Sequence, residues 1–446
     1  MANADGIVNR EETMRRVGWR LLPFLMLLYL IAYIDRSNIS VAALQMNTEL
    51  GLTAEMYGRA AGIFFATYIL FEIPSNMVLA RVGARRWIAR IMLTWGVIAA
   101  GMAFITSANQ LYGMRLLLGA AEAGFTPGVI YYLARWFPSR ERANAMSFFY
   151  IGAALASVIG LPLSGLLLGL HGWGGMSGWR WVFLLEGIPA VVLGLVTLKV
   201  LTDRPADASW LAPAERDWLE RTLAEEQSAT PVSHTAGWRQ AFTSGRVWLL
   251  ALFWLLQAFG TIGITLFLPL IVKSVSGQSN MMVGLLSAVP FLGACIFMFF
   301  NGRHSDASGE RALHLGLPLV LAGLVLAAAV QFADQPTTAY LLLALSVGLN
   351  WAAIPVFWAV TTEYVSGIAA AVSIALINAV ANLAGLGLPP VIGWIKDATG
   401  SFNIALLVVA TALVVGGLLG IALASRRRMT VSGQAGALAQ AEHGTR

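Results

Sequence analysis

Long apolar segments follow one another along the chain and are separated by short polar loops. Each apolar segment is about as long as the roughly 20 residues that an α-helix needs to cross a membrane. The pattern therefore predicts an all-α integral membrane protein with twelve transmembrane helices. The predicted spans are 18–46, 56–80, 87–107, 110–134, 144–170, 179–201, 246–272, 282–302, 313–333, 337–362, 368–395 and 402–425.

A polar stretch between the sixth and seventh segments divides the chain into two groups of six segments. One loop sequence also occurs in both groups, as ARVGARR around Gly83 and as SDASGER around Gly309. Each copy follows the second helix of its group, which predicts two six-helix halves related by duplication. The expected order is N-terminal segment, first half, linker, second half and tail, at 1–17, 18–201, 202–245, 246–425 and 426–446.

Arginine and lysine are concentrated in alternate loops. One side of the membrane holds most of them, and the opposite side holds only Arg59, Arg180, Lys273 and Lys396. The positive-inside rule then places both termini, the linker and the tail in the cytoplasm of a bacterial cell, with a multi-pass protein in its inner (plasma) membrane. Basic loops that face anionic lipid account for the net charge of +6, so we expect the lipid bilayer and not nucleic acid as a partner.

The composition agrees with a membrane protein and argues against an enzyme. Hydrophobic residues make up 58% of the chain and charged residues 12%. The single cysteine, Cys295, excludes an internal disulfide and a cysteine metal cluster. The five histidines are scattered without metal-ligand spacing, so we expect neither a metal nor a cofactor.

Two charged residues stand side by side inside the first apolar segment. Asp35 and Arg36 have apolar residues on both sides, so they lie within the span. A charge in the bilayer interior is costly unless it has a partner or faces a water-filled cavity, and it commonly marks a substrate or ion path. Tyr29, Tyr33 and Arg36 share one helix face. This spacing favours a cavity-lining stripe over the alternative of ordinary packing.

The fourth apolar segment carries a second pair of charges. Arg115 and Glu122 share one helix face and are separated by two helical turns, with Gly119 between them. They are too far apart to pair with each other. We therefore expect each of them to find a partner on another helix, where Asp35 and Arg36 are the candidates. The alternative is a buried structural network.

Other polar residues lie within apolar segments. Glu186 follows Arg180 by six residues, which favours a local structural network near the outer rim of the membrane. In the second half, the Asn378 side chain can hydrogen-bond to a neighbouring helix or to substrate hydroxyls. Trp358 lies on the preceding predicted helix.

Several motifs together resemble one transporter family. They are YIDRSNIS, FEIPSN, RLLLGAAEAGFTPG, GWRW with LLEG, FWAVTTEYVSG, ALINAVANLAG and IGWIKDATGS. In combination they look like the anion:cation symporter family of the major facilitator superfamily, and the similarity runs through essentially all twelve predicted helices. Bacterial permeases for tartrate, phthalate and hydroxyphenylacetate-like acids are the most similar in pattern.

The resemblance implies the major facilitator fold and the symport of a small organic anion with protons, by alternating access in a monomer. It implies that Asp35 and Glu122 exchange the coupling protons, while Arg36 and Arg115 serve the anion and the ion-pair switch. The same cavity would be lined by Tyr29, Tyr33, Tyr68, Trp358 and Asn378. The gating loops would contain Gly83 and Arg85 in the first half and Asp306, Gly309 and Arg311 in the second.

The chain departs from the family pattern at two places. Ala80 stands where the gating loop usually has an acid, which puts the first-half latch in doubt. Ala153, Pro355 and Phe357 occupy positions where sugar-acid carriers tend to have polar groups, so the resemblance implies a less hydroxylated, aromatic or apolar carboxylate. Two alternatives stay open, an efflux antiporter of the same fold and a membrane sensor that does not transport. GLPLSG, without an adjacent Gly-Pro, argues against the antiporter.

Overall fold

The computed structural model describes residues 8–228, 242–364 and 369–443. The described chain is helical and contains no strand, and twelve of its helical segments are long and apolar enough to cross a membrane. The predicted fold class is therefore confirmed. Parts of the predicted N-terminal segment (1–7), linker (229–241) and tail (444–446) lie outside the described residues, as do residues 365–368 in the loop before the eleventh span.

The chain forms two compact units, of which the first contains residues 1–232 and 278–288 and the second contains 233–277 and 289–446. The helices of the first unit are α1 (Arg10–Glu49), α2 (Ala54–Val82), α3 (Ala84–Gly101), α4 (Ala108–Glu122), α5 (Phe125–Ala134), α6 (Ser139–Leu168), α7 (Gly178–Val200) and α8 (Pro213–Ser228). Together α4 and α5 make up the fourth span.

The first helix begins earlier than its apolar pattern predicts. It starts at Arg10 because its polar first turns pack on α8, the helix that follows the first six spans. Thr13 donates to Glu215 at 3.1 Å, and Arg16 forms an ion pair with the same carboxylate at 3.1 Å. The described part of the linker is therefore attached to the first unit.

The fourth span is broken where the sequence predicts one continuous helix. Gly124 adopts a left-handed conformation with φ of +87° and separates α4 from α5. A Cβ atom at this position would lie 2.3 Å from the Ser75 hydroxyl oxygen, so the break and the close approach to α2 both require glycine.

The second unit repeats the helical pattern of the first. Its helices are α9 (Gly245–Ala258), α10 (Thr265–Ser276), α11 (Asn280–Ser308), α12 (Ala312–Gln331), α13 (Pro336–Tyr364), α14 (Ala369–Thr399) and α15 (Asn403–His443). A π-helical segment, Phe259–Ile264, joins α9 to α10 within the seventh span. The first residues of α11 belong to the first unit and the rest to the second.

Glycines bring the third and sixth spans of each unit into backbone contact. In the first unit, a Cβ atom on Gly187 of α7 would lie 2.6 Å from the backbone nitrogen of Ala100 in α3. In the second unit, a Cβ atom on Gly316 of α12 would lie 2.2 Å from the carbonyl oxygen of Gly417 in α15. The same helix pair is thus packed in the same way in both units, as a duplicated half would be.

Candidate functional site

A buried ion pair joins the first and fourth spans. Arg36 of α1 donates through Nη2 to Oε1 of Glu122 on α4. The Glu122 side chain is only 2% exposed, so this carboxylate has left water almost completely. The expectation that Glu122 finds its partner in the first helix is confirmed, with Arg36 as that partner.

Aromatic rings surround the same guanidinium group. The Arg36 carbon atom Cζ lies 5.3 Å from the Tyr33 ring centre, 5.7 Å from that of Phe64 and 5.3 Å from that of Tyr68. Rings at such distances attract a cation through their π faces. Tyr29 packs edge-on against Tyr33 with 4.9 Å between ring centres, which confirms that the two rings share one face of α1, and their lining of a cavity stays a prediction.

Phe64 was missed by the sequence analysis. It is fully buried and lies beneath both arginines of this region, because its ring centre is 4.7 Å from Cζ of Arg115. A phenylalanine within an apolar segment carries no signal that separates it from an ordinary packing residue. Only the fold shows that it supports two cations.

Arg115 bonds to backbone atoms instead of to a carboxylate. Its Nε donates to the Ala60 carbonyl oxygen at 3.1 Å, and its Nη2 donates to that of Ala61 at 3.4 Å. These contacts need α4 and α2 to lie close together. A Cβ atom on Gly119 would be 2.2 Å from the Phe64 carbonyl oxygen, so glycine makes that approach possible.

Asp35 does not pair with an arginine, so its proposed pairing with Arg115 is wrong. Trp95 of α3 donates to Oδ2 of Asp35 at 2.6 Å, and Asn38 donates to Oδ1 at 3.5 Å. Successive residues of a helix point about 100° apart. The side chain of Asp35 therefore turns toward α3 while that of Arg36 turns toward α4.

Glu186 does not belong to an outer-rim network with Arg180, as the sequence analysis expected. Arg180 donates to the Ala103 carbonyl oxygen at 2.6 Å and to Glu49 at 3.0 Å. Glu186 is buried and accepts from the Ser164 hydroxyl at 2.7 Å. Six residues are not a whole number of helical turns, so the two side chains leave α7 on different faces.

An acidic residue from a distant part of the chain lies beside the first of the two predicted gating loops. Asp203, which follows α7, accepts from the backbone N–H of Arg85 at 2.8 Å, at the start of α3. Gly83 has φ of +98°, and a Cβ atom there would lie 2.9 Å from the Asp203 carboxylate. A carboxylate thus stands near this loop although Ala80 provides none.

The second predicted gating loop is stabilised by hydrogen bonds between its own residues. Arg311 donates to Asp306 at 2.6 Å and to the Ser305 hydroxyl at 3.0 Å. Glu310 accepts from the backbone N–H of Leu313 at 3.0 Å. Burial alone would raise the pKa of the Glu310 carboxyl, but the hydrogen bonds from Leu313 and His314 hold this pKa below its usual range.

An aromatic cluster with one amide forms the corresponding region of the second unit. The rings of Trp254 and Phe357 are stacked with 4.4 Å between centres, and Trp358 meets the Trp254 ring edge-on at 5.3 Å. Trp254 also donates to Oδ1 of Asn378 at 3.2 Å. Trp358 and Asn378 therefore belong to one cluster, and Trp254, which the sequence analysis missed, connects them.

A sequence profile described as "Major Facilitator Superfamily" matches residues 25–389, which is most of the chain. The chain belongs to the major facilitator superfamily. Members of this superfamily are transporters and not enzymes, so the chain is a multi-pass membrane transporter with twelve spans.

Individual superfamily members are similar over almost the whole chain. A protein of Agrobacterium vitis named "Putative tartrate transporter" is 43% identical over 94% of this chain and 94% of its own length. A "Quinolone resistance transporter" of Acinetobacter baumannii is 36% identical over 91% of this chain and 93% of its own length. A solved structure of a bacterial homolog of the human lysosomal transporter Spinster has a TM-score of 0.72 at 21% identity, covering 92% of this chain and 96% of its own. That structure supports the superfamily fold.

Proposed function

We propose that this transporter carries a small carboxylate into the cell together with protons, by alternating access. One observation carries the proposal. Nε of Arg36 and Nη1 of Arg115 are buried and have no hydrogen-bond partner within the described chain. A buried donor without an acceptor costs about 1–3 kcal/mol. A carboxylate is the acceptor that guanidinium groups bind best, so an organic anion would satisfy both.

The relatives favour a carboxylate over other anions. The Agrobacterium vitis protein is named "Putative tartrate transporter", and tartrate carries two carboxyl groups. That protein matches this chain over nearly its whole length, and the two arginines with free donors suit such a substrate. Tartrate is therefore the first compound to test.

The pairing of Arg36 with Glu122 supports proton coupling. A substrate carboxylate that binds Arg36 competes with Glu122 for the same guanidinium. A carboxylate that loses its cation while it remains buried is destabilised by several kcal/mol unless it takes up a proton. Anion binding at Arg36 and proton binding at Glu122 would then occur together. Asp35, which is buried and forms no ion pair among the described residues, is the second candidate for a coupling proton.

The second candidate function is drug efflux by proton antiport. The Acinetobacter baumannii relative is named for quinolone resistance, and it too is similar over most of this chain. Quinolones also carry a carboxyl group and would suit the same guanidinium donors, so we rank efflux second on similarity, since this relative is 36% identical to the chain and the tartrate transporter 43%. Both functions use a proton gradient, so the direction of substrate movement separates them.

The decisive experiment is uptake of radiolabelled tartrate into proteoliposomes with an acidic exterior. We expect accumulation against a gradient with simultaneous proton entry. Glu122→Gln should abolish accumulation and retain exchange between preloaded vesicles, because a glutamine resembles the protonated carboxyl. Glu55→Gln, in a partly exposed pair with Arg59, is the control and should behave as the wild type. Quinolone extrusion without uptake of any carboxylate would contradict the proposal.

A further inference from the structure

A second pair of carboxyl groups is buried within the first unit, apart from the Arg36–Glu122 pair. Asp35 of α1 and Glu186 of α7 are each only 3% exposed. The side chain of Asn38 lies against both, because it donates to Asp35 at 3.5 Å and also interacts with Glu186. The remaining contacts come from Trp95 of α3 and Ser164 of α6.

This carboxyl pair has no basic partner within the described residues. Among the described ion pairs, Arg36 pairs with Glu122, and Arg180 pairs with Glu49. Two ionised carboxylates in one buried place repel each other and lose their hydration, so both cannot keep their charge. At least one of Asp35 and Glu186 must therefore be neutral, which means that it binds a proton.

One oxygen of the pair also lacks a hydrogen-bond partner. Oε1 of Glu186 accepts from Ser164, whereas Oε2 is buried and has no hydrogen-bond partner in the described part of the chain. An added proton makes Oε2 a donor. The Asn38 amide can serve both states, since its oxygen accepts from a protonated carboxyl and its nitrogen donates to an ionised one.

We propose that Asp35 and Glu186 form a proton-binding site, joined by Asn38, that is separate from the Arg36–Glu122 pair. The inference rests on the proposed function, because the proton held here is one that moves with the anion. A proton suits the site better than a metal cation does. The donors of Trp95 and Ser164 already point at the carboxyl oxygens and occupy lone pairs that a cation would need.

The charge of the Asp35–Glu186 pair affects anion binding electrostatically, together with the charged groups near it. Asp35 lies close enough to Glu186 of α7 and Glu122 of α4 to be affected by their charges, and it directly precedes Arg36 in the chain. Glu186 is approached by Ser164 of α6 and Asn38 of α1, neither of which ionises. Arg36, Arg115 and the three carboxyl groups are together negative when all are ionised. They become neutral with one proton and positive with two, so protonation of the pair favours anion binding.

The test uses purified full-length protein with Glu186→Gln, which keeps the shape of the side chain and cannot ionise. Infrared difference spectra without substrate should show a protonated-carboxyl band in the wild type that titrates with pH. We expect this band to lose intensity in Glu186→Gln and to remain in Glu55→Gln. Asn38→Leu, which keeps both carboxyl groups, should change the pH dependence of the band. A band with the same intensity and pH dependence in wild type, Glu186→Gln and Asn38→Leu would overturn the proposal.

A transport measurement separates this inference from the proposed function. Vesicles that contain a pH-sensitive dye report the protons that enter per radiolabelled tartrate. We expect Glu186→Gln to move about one proton fewer per tartrate than the wild type. Equal ratios in the two proteins would refute the inference and leave proton-coupled uptake intact. If tartrate uptake requires sodium instead of a pH gradient, the coupling ion is a metal cation and not a proton. That result would also refute the inference.

Discussion

At the scale of single residues, neighbours in sequence have different surroundings. Asp35 and Arg36 are adjacent, yet the first contacts Trp95 and the second contacts Glu122. The sequence shows that both are inside the membrane, and it does not show which way each side chain turns. Under the proposed function, these separate surroundings let Asp35 hold a proton while Arg36 holds the anion.

Substitution of Arg36 by lysine tests whether the planar guanidinium binds the anion. A lysine keeps the charge and loses the forked pair of donors that matches a carboxylate. We expect Arg36→Lys to weaken tartrate binding at least about tenfold, which corresponds to about 1.4 kcal/mol. Isothermal titration calorimetry measures the affinity, and Arg59→Lys at an exposed pair is the control. Equal affinities in the wild type and Arg36→Lys, with both proteins folded, would make Arg36 a structural residue only.

A substitution in the aromatic cluster of the second unit tests how the transporter distinguishes one carboxylate from another. We propose that Trp358 contacts the body of the substrate and that Phe357 and Trp254 support it by stacking. An aromatic surface leaves substrate hydroxyls without partners, at about 1–3 kcal/mol for each buried group, so the cost is larger for a polyhydroxy acid such as gluconate than for tartrate, which has fewer hydroxyls. We therefore expect benzoate to inhibit tartrate uptake more strongly than gluconate does, and Trp358→Ala to reduce this difference. Trp394→Ala, at an exposed position, serves as the control.

The competition assay has one outcome that contradicts this assignment. If gluconate inhibits the wild type more strongly than benzoate does, the polar group of the cluster must hydrogen-bond to the substrate hydroxyls. Asn378 is that group, because its amide nitrogen remains able to donate while its oxygen accepts from Trp254.

At the scale of helices, the apolar pattern predicts which spans exist and misses what happens inside them. The predicted fourth and seventh spans are present, but Gly124 breaks one and the π-helical segment Phe259–Ile264 interrupts the other. The early start of α1 at Arg10 was likewise missed, because it depends on α8, about 200 residues later.

The two gating loops provide a matched pair for a stability test. Gly83 and Gly309 both have positive φ, but only at Gly83 would a Cβ atom meet a neighbour, the Asp203 carboxylate at 2.9 Å. Alanine at Gly309 adds backbone strain of about 1 kcal/mol. Alanine at Gly83, where φ is +98° and ψ is +145°, adds more backbone strain than this and also displaces Asp203 from the N-terminus of α3.

We expect Gly83→Ala to lower the thermal stability of the purified transporter clearly more than Gly309→Ala does. Losing a carboxylate from a helix N-terminus costs about 0.5–2 kcal/mol. The double variant Gly83→Ala with Asp203→Gly should lose less than the two single effects added together, because the clash is gone. Equal melting temperatures for Gly83→Ala and Gly309→Ala would exclude Asp203 from a role in this loop.

At the scale of the whole molecule, the sequence predicts the fold and the Arg36–Glu122 pair, but not the buried pair of Asp35 and Glu186. The fold follows from the number and order of the apolar spans, and the Arg36–Glu122 pair follows from the scarcity of charge within them. The surroundings of Glu186 could not be predicted, because they depend on how α7 is rotated against α1 and α6. Rotation is set by packing across helices, and no local pattern encodes it.

The orientation of the molecule in the membrane is a prediction of the arginine distribution. In a Cys295→Ser background, we expect Asp334→Cys, in the loop before α13, to react with an impermeant maleimide from outside intact spheroplasts. Asp217→Cys in α8 should react only after permeabilisation. Both residues are exposed, so a cysteine at either position escapes labelling only where the membrane keeps the maleimide away from it. The reverse labelling pattern would place both termini outside.

The glycine contacts between the third and sixth spans of each unit have a consequence for mutational scanning. Gly187 and Gly316 lie where the backbones of two helices touch, so every side chain larger than hydrogen forces those helices apart. A growth-based scan would therefore find these positions as intolerant as Arg36, although neither glycine has a described contact with Arg36. The two classes separate when protein abundance is measured beside growth: glycine variants should disappear from the membrane fraction, whereas Arg36 variants should remain there without transporting.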